Sequence, residues 1–352
     1  MSGQLDVFNV VRIFAFFAAT FAIAMAIAPV FIHFLYKYKI GKNIREGADT
    51  PVFSSLHIKK AGTPTMGGLL IWGTVVFIIL LVYVLSWMFP TSIFKELNFL
   101  SRSQTWLPIG VLLVSGLIGA IDDLMNVKKI GAIGGGMKMR HRLIIYAAVA
   151  LLAVWWFYSK LEWDYMRVPF MGDFALGAWF IPFFTFIIVA TSFSVNETDG
   201  LDGLAGGVLL FTFMSYGVLS YAQGQMDIAV LCAAIAGGLA AFLWFNIYPA
   251  RFFMGDTGAM GLGTTLGVIA MLTNSVFLLP IIGFIFVLES ISVIIQIISK
   301  KLRGKKVFLS SPIHHHFEAK GWPETKVTMR FWLISAITAA IGLVVGLIDK
   351  TI

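Results

Sequence analysis

Ten apolar stretches, near residues 9–36, 66–89, 106–122, 142–159, 176–195, 203–222, 227–247, 258–273, 276–299 and 329–348, dominate this chain. A helix needs roughly 20 apolar residues to cross the hydrocarbon core of a bilayer. In lipid every backbone polar group must find a partner within the protein, so such stretches fold as helices rather than open sheet. Only 12% of the 352 residues are charged, against about 25% in soluble domains. The pattern predicts an all-α, polytopic membrane protein with about ten transmembrane helices, forming a single integral membrane domain over 1–352. The lone cysteine, Cys232, sits inside an apolar stretch and has no partner for an intrachain disulfide.

The loops carry the orientation. Lys37, Lys39, Lys42, Arg45, Lys59 and Lys60 fall in the first loop, and Lys128, Lys129, Lys138, Arg140 and Arg142 in the third. The ninth holds Lys300, Lys301, Arg303, Lys305, Lys306, Lys320 and Lys326, with Arg330 beside it. The second has only Lys95 and Arg102, and the fourth only Lys160 and Arg167. Basic residues accumulate in cytoplasmic loops, so the odd-numbered loops are expected in the cytoplasm and both termini on the outer side. A net charge of +8 raises nucleic acid as a partner. These bases lie between apolar stretches, however, and a role at the bilayer surface accounts for them better.

Five polar islands fall on the odd loops: the run Lys60 to Gly68 containing Thr65, Asp122-Asp123, Asn196 to Gly203, Phe253-Met-Gly-Asp256, and His314-His315-His316. Adjacent carboxylates at the end of a membrane helix are costly unless solvated, paired or metal-bound. Asp122-Asp123 therefore reads either as a solvated helix end or as hard oxygen ligands and proton acceptors. Asn196, Asp199 and Asp202 recur every three residues and point towards one face, with Gly200 and Gly203 permitting a sharp bend. Taken alone, Asp202 reads as the N-cap of the following helix. The tetrapeptide at 253–256 also occurs at Phe170–Asp173, where loop four predicts only the turn of an external hairpin. Its second copy precedes a helix, whose free N–H groups suit phosphate, and Asp256 there is a candidate Mg²⁺ ligand. The three histidines lack the spacing of a helical zinc pair; phosphate hydrogen bonding or a solvated loop remain open for them. Glu289, within the ninth stretch, reads as a structural hydrogen-bonding group, with Gln296 or a nearby backbone break as partner. Together these features suit phosphoryl transfer from a soluble nucleotide to a lipid acceptor.

Across Lys60–Gly68, Asp122-Asp123, Thr198–Ala205, Asn246–Asp256 and Ser311–Trp322, the chain resembles the phospho-N-acetylmuramoyl-pentapeptide transferase family over essentially its full length. The resemblance implies a ten-helix, dimeric enzyme of the bacterial cytoplasmic (inner) membrane with its catalytic face in the cytoplasm. It would transfer phospho-MurNAc-pentapeptide from UDP-MurNAc-pentapeptide to undecaprenyl phosphate, release UMP and require Mg²⁺, with no nucleic acid involved. Asp122, Asp123, Asp256 and His314 would be catalytic, and Asp256 the metal ligand. Lys60, Thr65, Arg142, Asn196, Asp199, Gly200, Leu201, Asp202, Asn246, Phe253, His315 and His316 would bind substrate, with Phe253 stacking on uracil.

Three positions depart from the family pattern. Asn126 and Arg142 stand where lysines are expected, the latter after a lengthened glycine-rich linker, and Glu197 replaces an apolar residue. Two other functions compete. A related transferase would load a different UDP-N-acetylhexosamine onto a polyprenyl carrier. A transporter would use Glu289 on its pathway, although transport predicts polar groups near the midplane and on both faces.

Overall fold

The computed structural model describes residues 7–41, 60–90, 93–100, 103–131 and 135–351. Lys42, Arg45, Lys59 and Arg102, part of the loop-charge pattern, lie outside the described residues. The helices are α1 (Val7–Lys37), α2 (Gly68–Met88), α3 (Ile93–Leu97), α4 (Ser103–Val127), α5 (Met139–Lys160), α6 (Phe180–Thr198) and α7 (Leu204–Ala222). They continue as α8 (Met226–Asn246), α9 (Gly255–Leu272), α10 (Leu279–Ile282), α11 (Phe284–Arg303), α12 (Ile313–Ala319) and α13 (Glu324–Thr351).

Among the described residues eight helices are long and apolar enough to cross a membrane: α1, α2, α4–α8 and α13. A ninth span arises if residues 276–282 and 284–303 count as one broken helix. The expected count of ten is therefore not reached by length and composition. The missing member is the stretch expected at 258–273, present as α9. Glycine and threonine dilute its apolarity, and every residue of α9 except Asp256 is buried. A helix wrapped by protein needs no lipid-facing surface. It packs against α4 and α6, close enough that a Cβ on Gly263 would lie 2.8 Å from Ser192 Cα.

The stretch expected as one helix over 276–299 bends by 83° at Gly283. Beyond the bend α11 is two-faced: Glu289, Ser290, Ser292, Gln296 and Ser299 are buried, whereas Ile291, Ile294, Ile297 and Leu302 are exposed. Such a face suits contact with lipid.

Two ends of the bundle differ sharply. At one, Arg12 at the start of α1 meets Asp227 at the start of α8, 3.1 Å away. At the same end a hairpin of β1 (Tyr165–Val168) and β2 (Gly172–Ala175) pairs Val168 with Gly172. This is the turn expected for the Phe170–Asp173 copy. Arg167 on the hairpin holds Asp349 at the end of α13, 2.6 Å away, and Asp349 lifts the already high pKa of that guanidinium further. The other end gathers all five polar islands.

Candidate active site

The site is organised by the first turn of α9, whose unsatisfied N–H groups require acceptors. Gly255 enters it at φ +71°, and a Cβ there would strike both Asp123 and Thr65 at 2.4 Å. Asp123 lies across this turn. One of its oxygens accepts the Thr257 N–H (3.0 Å) and the Thr257 hydroxyl (2.6 Å). The other accepts the Asp256 N–H (3.2 Å) and the Thr65 hydroxyl (3.1 Å). The Gly255 N–H goes to Asp199, 3.1 Å away. The pair Asp122-Asp123 was expected to close its helix, but α4 runs on to Val127. Both carboxylates thus sit on a rigid element against α9, and Gly119 one turn earlier permits the contact: a Cβ there would stand 2.1 Å from the Asp256 carbonyl oxygen.

Asp256 projects from that turn into a polar cluster. Asn196 donates to one of its oxygens. Arg142 Nη2 lies 2.8 Å from the other and 2.6 Å from Asp122. The same guanidinium reaches Asn196 Oδ1 at 3.3 Å, and the Met137 N–H donates to the second oxygen of Asp122. Asp122 is fully buried, whereas Asp256 and Arg142 keep 13% and 11% of their side-chain surface exposed. The cluster is therefore reached from the Asp256 side. Among the described residues Arg142 is the cation paired with these carboxylates, whereas Lys128, Lys129 and Lys138 are exposed.

A second cluster is centred on Lys60. Its ammonium pairs with Asp202 at 2.6 Å and with Glu324, and lies 6.0 Å from the Phe253 ring centre and 5.9 Å from that of Tyr248. The other oxygen of Asp202 accepts the Ala250 N–H at 3.0 Å. Asp202 is accordingly not the N-cap of α7: that position belongs to Gly203, at φ +77°. Glu324 was not singled out in the sequence because an acid in the first turn of a helix is an ordinary macrodipole partner. The three residues spaced by three divide between the clusters, with Asn196 and Asp199 at α9 and Asp202 at Lys60. Thr65 is buried behind Asp123. Leu201 is buried, and Asn246 clamps backbone, accepting from Gly203 N–H (2.9 Å) and donating to Phe252 O (2.8 Å).

The histidines lie on the short helix α12 and point to three different partners. His314 Nδ1 is 3.0 Å from Glu289, both fully buried. His315 pairs with Glu318 at 2.7 Å, and His316 Nδ1 accepts the Leu309 N–H at 3.1 Å. Burial disfavours a charged His314, but Glu289 outweighs it through charge and hydrogen bonding, helped by Glu318 and Glu197, and raises the ring's pKa. His316 is shifted the other way, by burial and by Lys320. Glu289 was expected to bond Gln296 or a broken backbone. Gln296 instead holds the loop at 307–308, accepting from the Val307 and Phe308 N–H groups at 3.0 Å. Glu289 is thereby tied to His314 on α12, at the end of the bundle that holds the polar islands.

Among the described residues no group of three or more His, Cys, Asp or Glu is placed to hold a metal unaided. The comparisons with known proteins agree with the geometry. Residues 105–274 match the model of glycosyl transferase family 4, and residues 60–71 match phospho-N-acetylmuramoyl-pentapeptide-transferase signature 1. The phospho-N-acetylmuramoyl-pentapeptide-transferase of Chloroflexus aggregans is 38% identical over 94% of this chain and 88% of its own. Those of Clostridium novyi and Desulforamulus reducens are 38% and 39% identical, each over 92% of this chain and 93% and 92% of their own.

The chain belongs to the phospho-N-acetylmuramoyl-pentapeptide-transferase family.

In this member of the phospho-N-acetylmuramoyl-pentapeptide-transferase family, the signature segment 60–71 is stitched to the start of α9. Pro64 O accepts from Phe253 N–H, and Gly67 and Gly68 donate to Phe253 O and Met254 O, at 2.8, 2.8 and 2.9 Å. Two distant parts of the sequence thereby place Lys60, Phe253 and Asp256 on one rigid frame.

Proposed function

We propose that the protein transfers phospho-MurNAc-pentapeptide from UDP-MurNAc-pentapeptide to undecaprenyl phosphate, yielding undecaprenyl-diphospho-MurNAc-pentapeptide and UMP. The observation that carries this reading is the meeting of Asp122, Asn196, Asp256 and Arg142 at the first turn of a buried helix. The reaction runs at the cytoplasmic face of a bacterial inner membrane, with ten membrane-embedded helices and both termini outside. The asymmetry of basic loops supports that orientation.

Mg²⁺ is the proposed cofactor. Asp256, with the Asn196 carbonyl oxygen beside it, is a hard donor suited to it. Mg²⁺ bound there would draw its further oxygen ligands from water and substrate. When bound, the ion neutralises charge on the diphosphate. The remaining work falls to the chain. Arg142 keeps Asp122 and Asp256 apart and oriented, and supplies positive charge beside the donor phosphates. Asp122 accepts the proton of the lipid phosphate. An oxygen of that phosphate then forms the new bond to the phosphorus carrying MurNAc, while the bond from that phosphorus to the bridging oxygen breaks and UMP leaves. Asp123, with four donors on its two oxygens, positions α9 rather than moving protons. Phe253 and Lys60 face the base, and Asp199 and Asp202 set the turn between them.

Purified protein in detergent with lipid is expected to release UMP only when Mg²⁺, UDP-MurNAc-pentapeptide and undecaprenyl phosphate are all present, and Asp256→Ala to abolish it. Release that is independent of the lipid acceptor defeats the reaction assigned. Equal release from UDP-N-acetylglucosamine defeats the sugar assigned.

A further inference from the structure

Glu289 lies on a membrane-embedded helix and belongs to none of the polar islands, yet it reaches into the site through one side chain. His314 is fully buried, with Nδ1 3.0 Å from Glu289 Oε2. That contact is an ion pair rather than a well-aligned hydrogen bond, and the ring's other nitrogen, Nε2, has no partner. That edge of the ring presses on the turn between Asp199 and Asp202: a Cβ on Gly200 would stand 2.2 Å from Nε2. A buried polar nitrogen left without a partner is destabilising unless a ligand satisfies it. Such a group at the rim of a nucleotide turn is a ligand contact waiting for its acceptor.

We propose that Glu289 is a positioning residue for the transfer, acting through His314. It holds the ring with Nδ1 against its own carboxylate, so that Nε2 is presented as a donor to an anionic oxygen of the nucleotide-diphosphate substrate at the Gly200 turn. The proposal rests on the function proposed above. The charged and titratable groups around the ring are Glu289 on α11, Glu318 and His315 on α12, and Glu197 on α6. Three of these four are carboxylates, and His315, whose ring centre is 4.0 Å away, is paired with Glu318. The bend at Gly283 gives the arrangement its purpose, since it turns α11 so that a carboxylate one to two turns along meets α12.

The test is the pH profile of kcat/KM for the nucleotide donor. Wild-type activity is expected to fall on an alkaline limb set by His314. Glu289→Gln keeps the side-chain shape, and should move that limb down by about one pH unit, giving roughly tenfold weaker kcat/KM above it, mostly through KM. Glu289→Asp should restore part of the shift. His314→Gln should remove the limb, and adding Glu289→Gln to it should cost nothing further, because the two act as one unit. An unmoved limb in Glu289→Gln, or multiplicative losses in the double variant, overturns the proposal. Should Glu289→Gln not fold, nitrogen-15 NMR of the wild-type histidines decides: a His314 ring that is neutral at pH 7 overturns it equally. A wild-type protein that releases no UMP refutes the function itself, an outcome distinct from an active enzyme indifferent to Glu289.

Discussion

Thr257 donates both its backbone N–H and its hydroxyl to a single oxygen of Asp123, at 3.0 and 2.6 Å. A carboxylate on α4 thus serves as the cap of α9, on a neighbouring helix rather than in the preceding residues. The first prediction follows from that bond. Thr257→Val keeps the volume but removes one donor from a buried charge, a loss of about 1–3 kcal/mol. Melting in detergent should fall measurably, with a partial loss of UMP release. Asp123→Ala strips acceptors from four donors at once and should lower both more severely. An Asp123→Ala enzyme that melts like wild type but is inactive would instead place Asp123 in the chemistry.

Arg142 gives the second. One nitrogen bridges Asp122 and Asp256 while a second touches Asn196, a forked geometry that a lysine ammonium cannot reproduce. Arg142→Lys retains the charge, and should keep activity within about tenfold of wild type, as expected for the loss of one charge-assisted bond of roughly 1.5 kcal/mol. Arg142→Ala leaves two carboxylates facing each other unshielded. It should lose far more and respond more steeply to Mg²⁺ concentration. Initial rates across a Mg²⁺ series check both.

Lys60 sits between Asp202 and Glu324 with 17% of its side chain exposed. Removing one member of a fully buried ion pair costs about 3–5 kcal/mol, and the exposure here places Lys60→Met at or below the lower end. The loss comes from two stranded carboxylates, so neutralising one should recover part of it. The double variant Lys60→Met with Glu324→Gln is expected to melt above Lys60→Met alone. Strict additivity of the two changes would show that the three groups do not form a unit.

The helices were legible because apolar length is a local property, and charge asymmetry was enough to place the five islands at one end. The duplicate at Phe170–Asp173 was separable from Phe253–Asp256 for the same reason. What escaped was everything set by partners far apart in the chain. Asp202 has the look of a cap, and only the fold brings Lys60 and Ala250 to it. Glu289 and His314 meet across a bend that Gly283 permits but does not announce. The α9 stretch was counted as a lipid-crossing span because hydropathy is read residue by residue, whereas its burial comes from α4 and α6.

His316 carries the last prediction, and its sign can be worked out. Its Nδ1 accepts the Leu309 N–H at 3.1 Å, which only a ring unprotonated at that nitrogen can do. Burial and Lys320 lower its pKa from the usual histidine value. A folded pKa below the unfolded one means that the bond stabilises the loop fully above about pH 6.5. The contribution is then lost as pH falls through the depressed folded value. Hydrogen exchange at Leu309, corrected for its intrinsic pH dependence, should therefore be slow at pH 7 and accelerate on acidification. His316→Ala should exchange fast at both pH values. Protection at Leu309 that persists unchanged to pH 4 would mean that the ring is not the acceptor holding this loop.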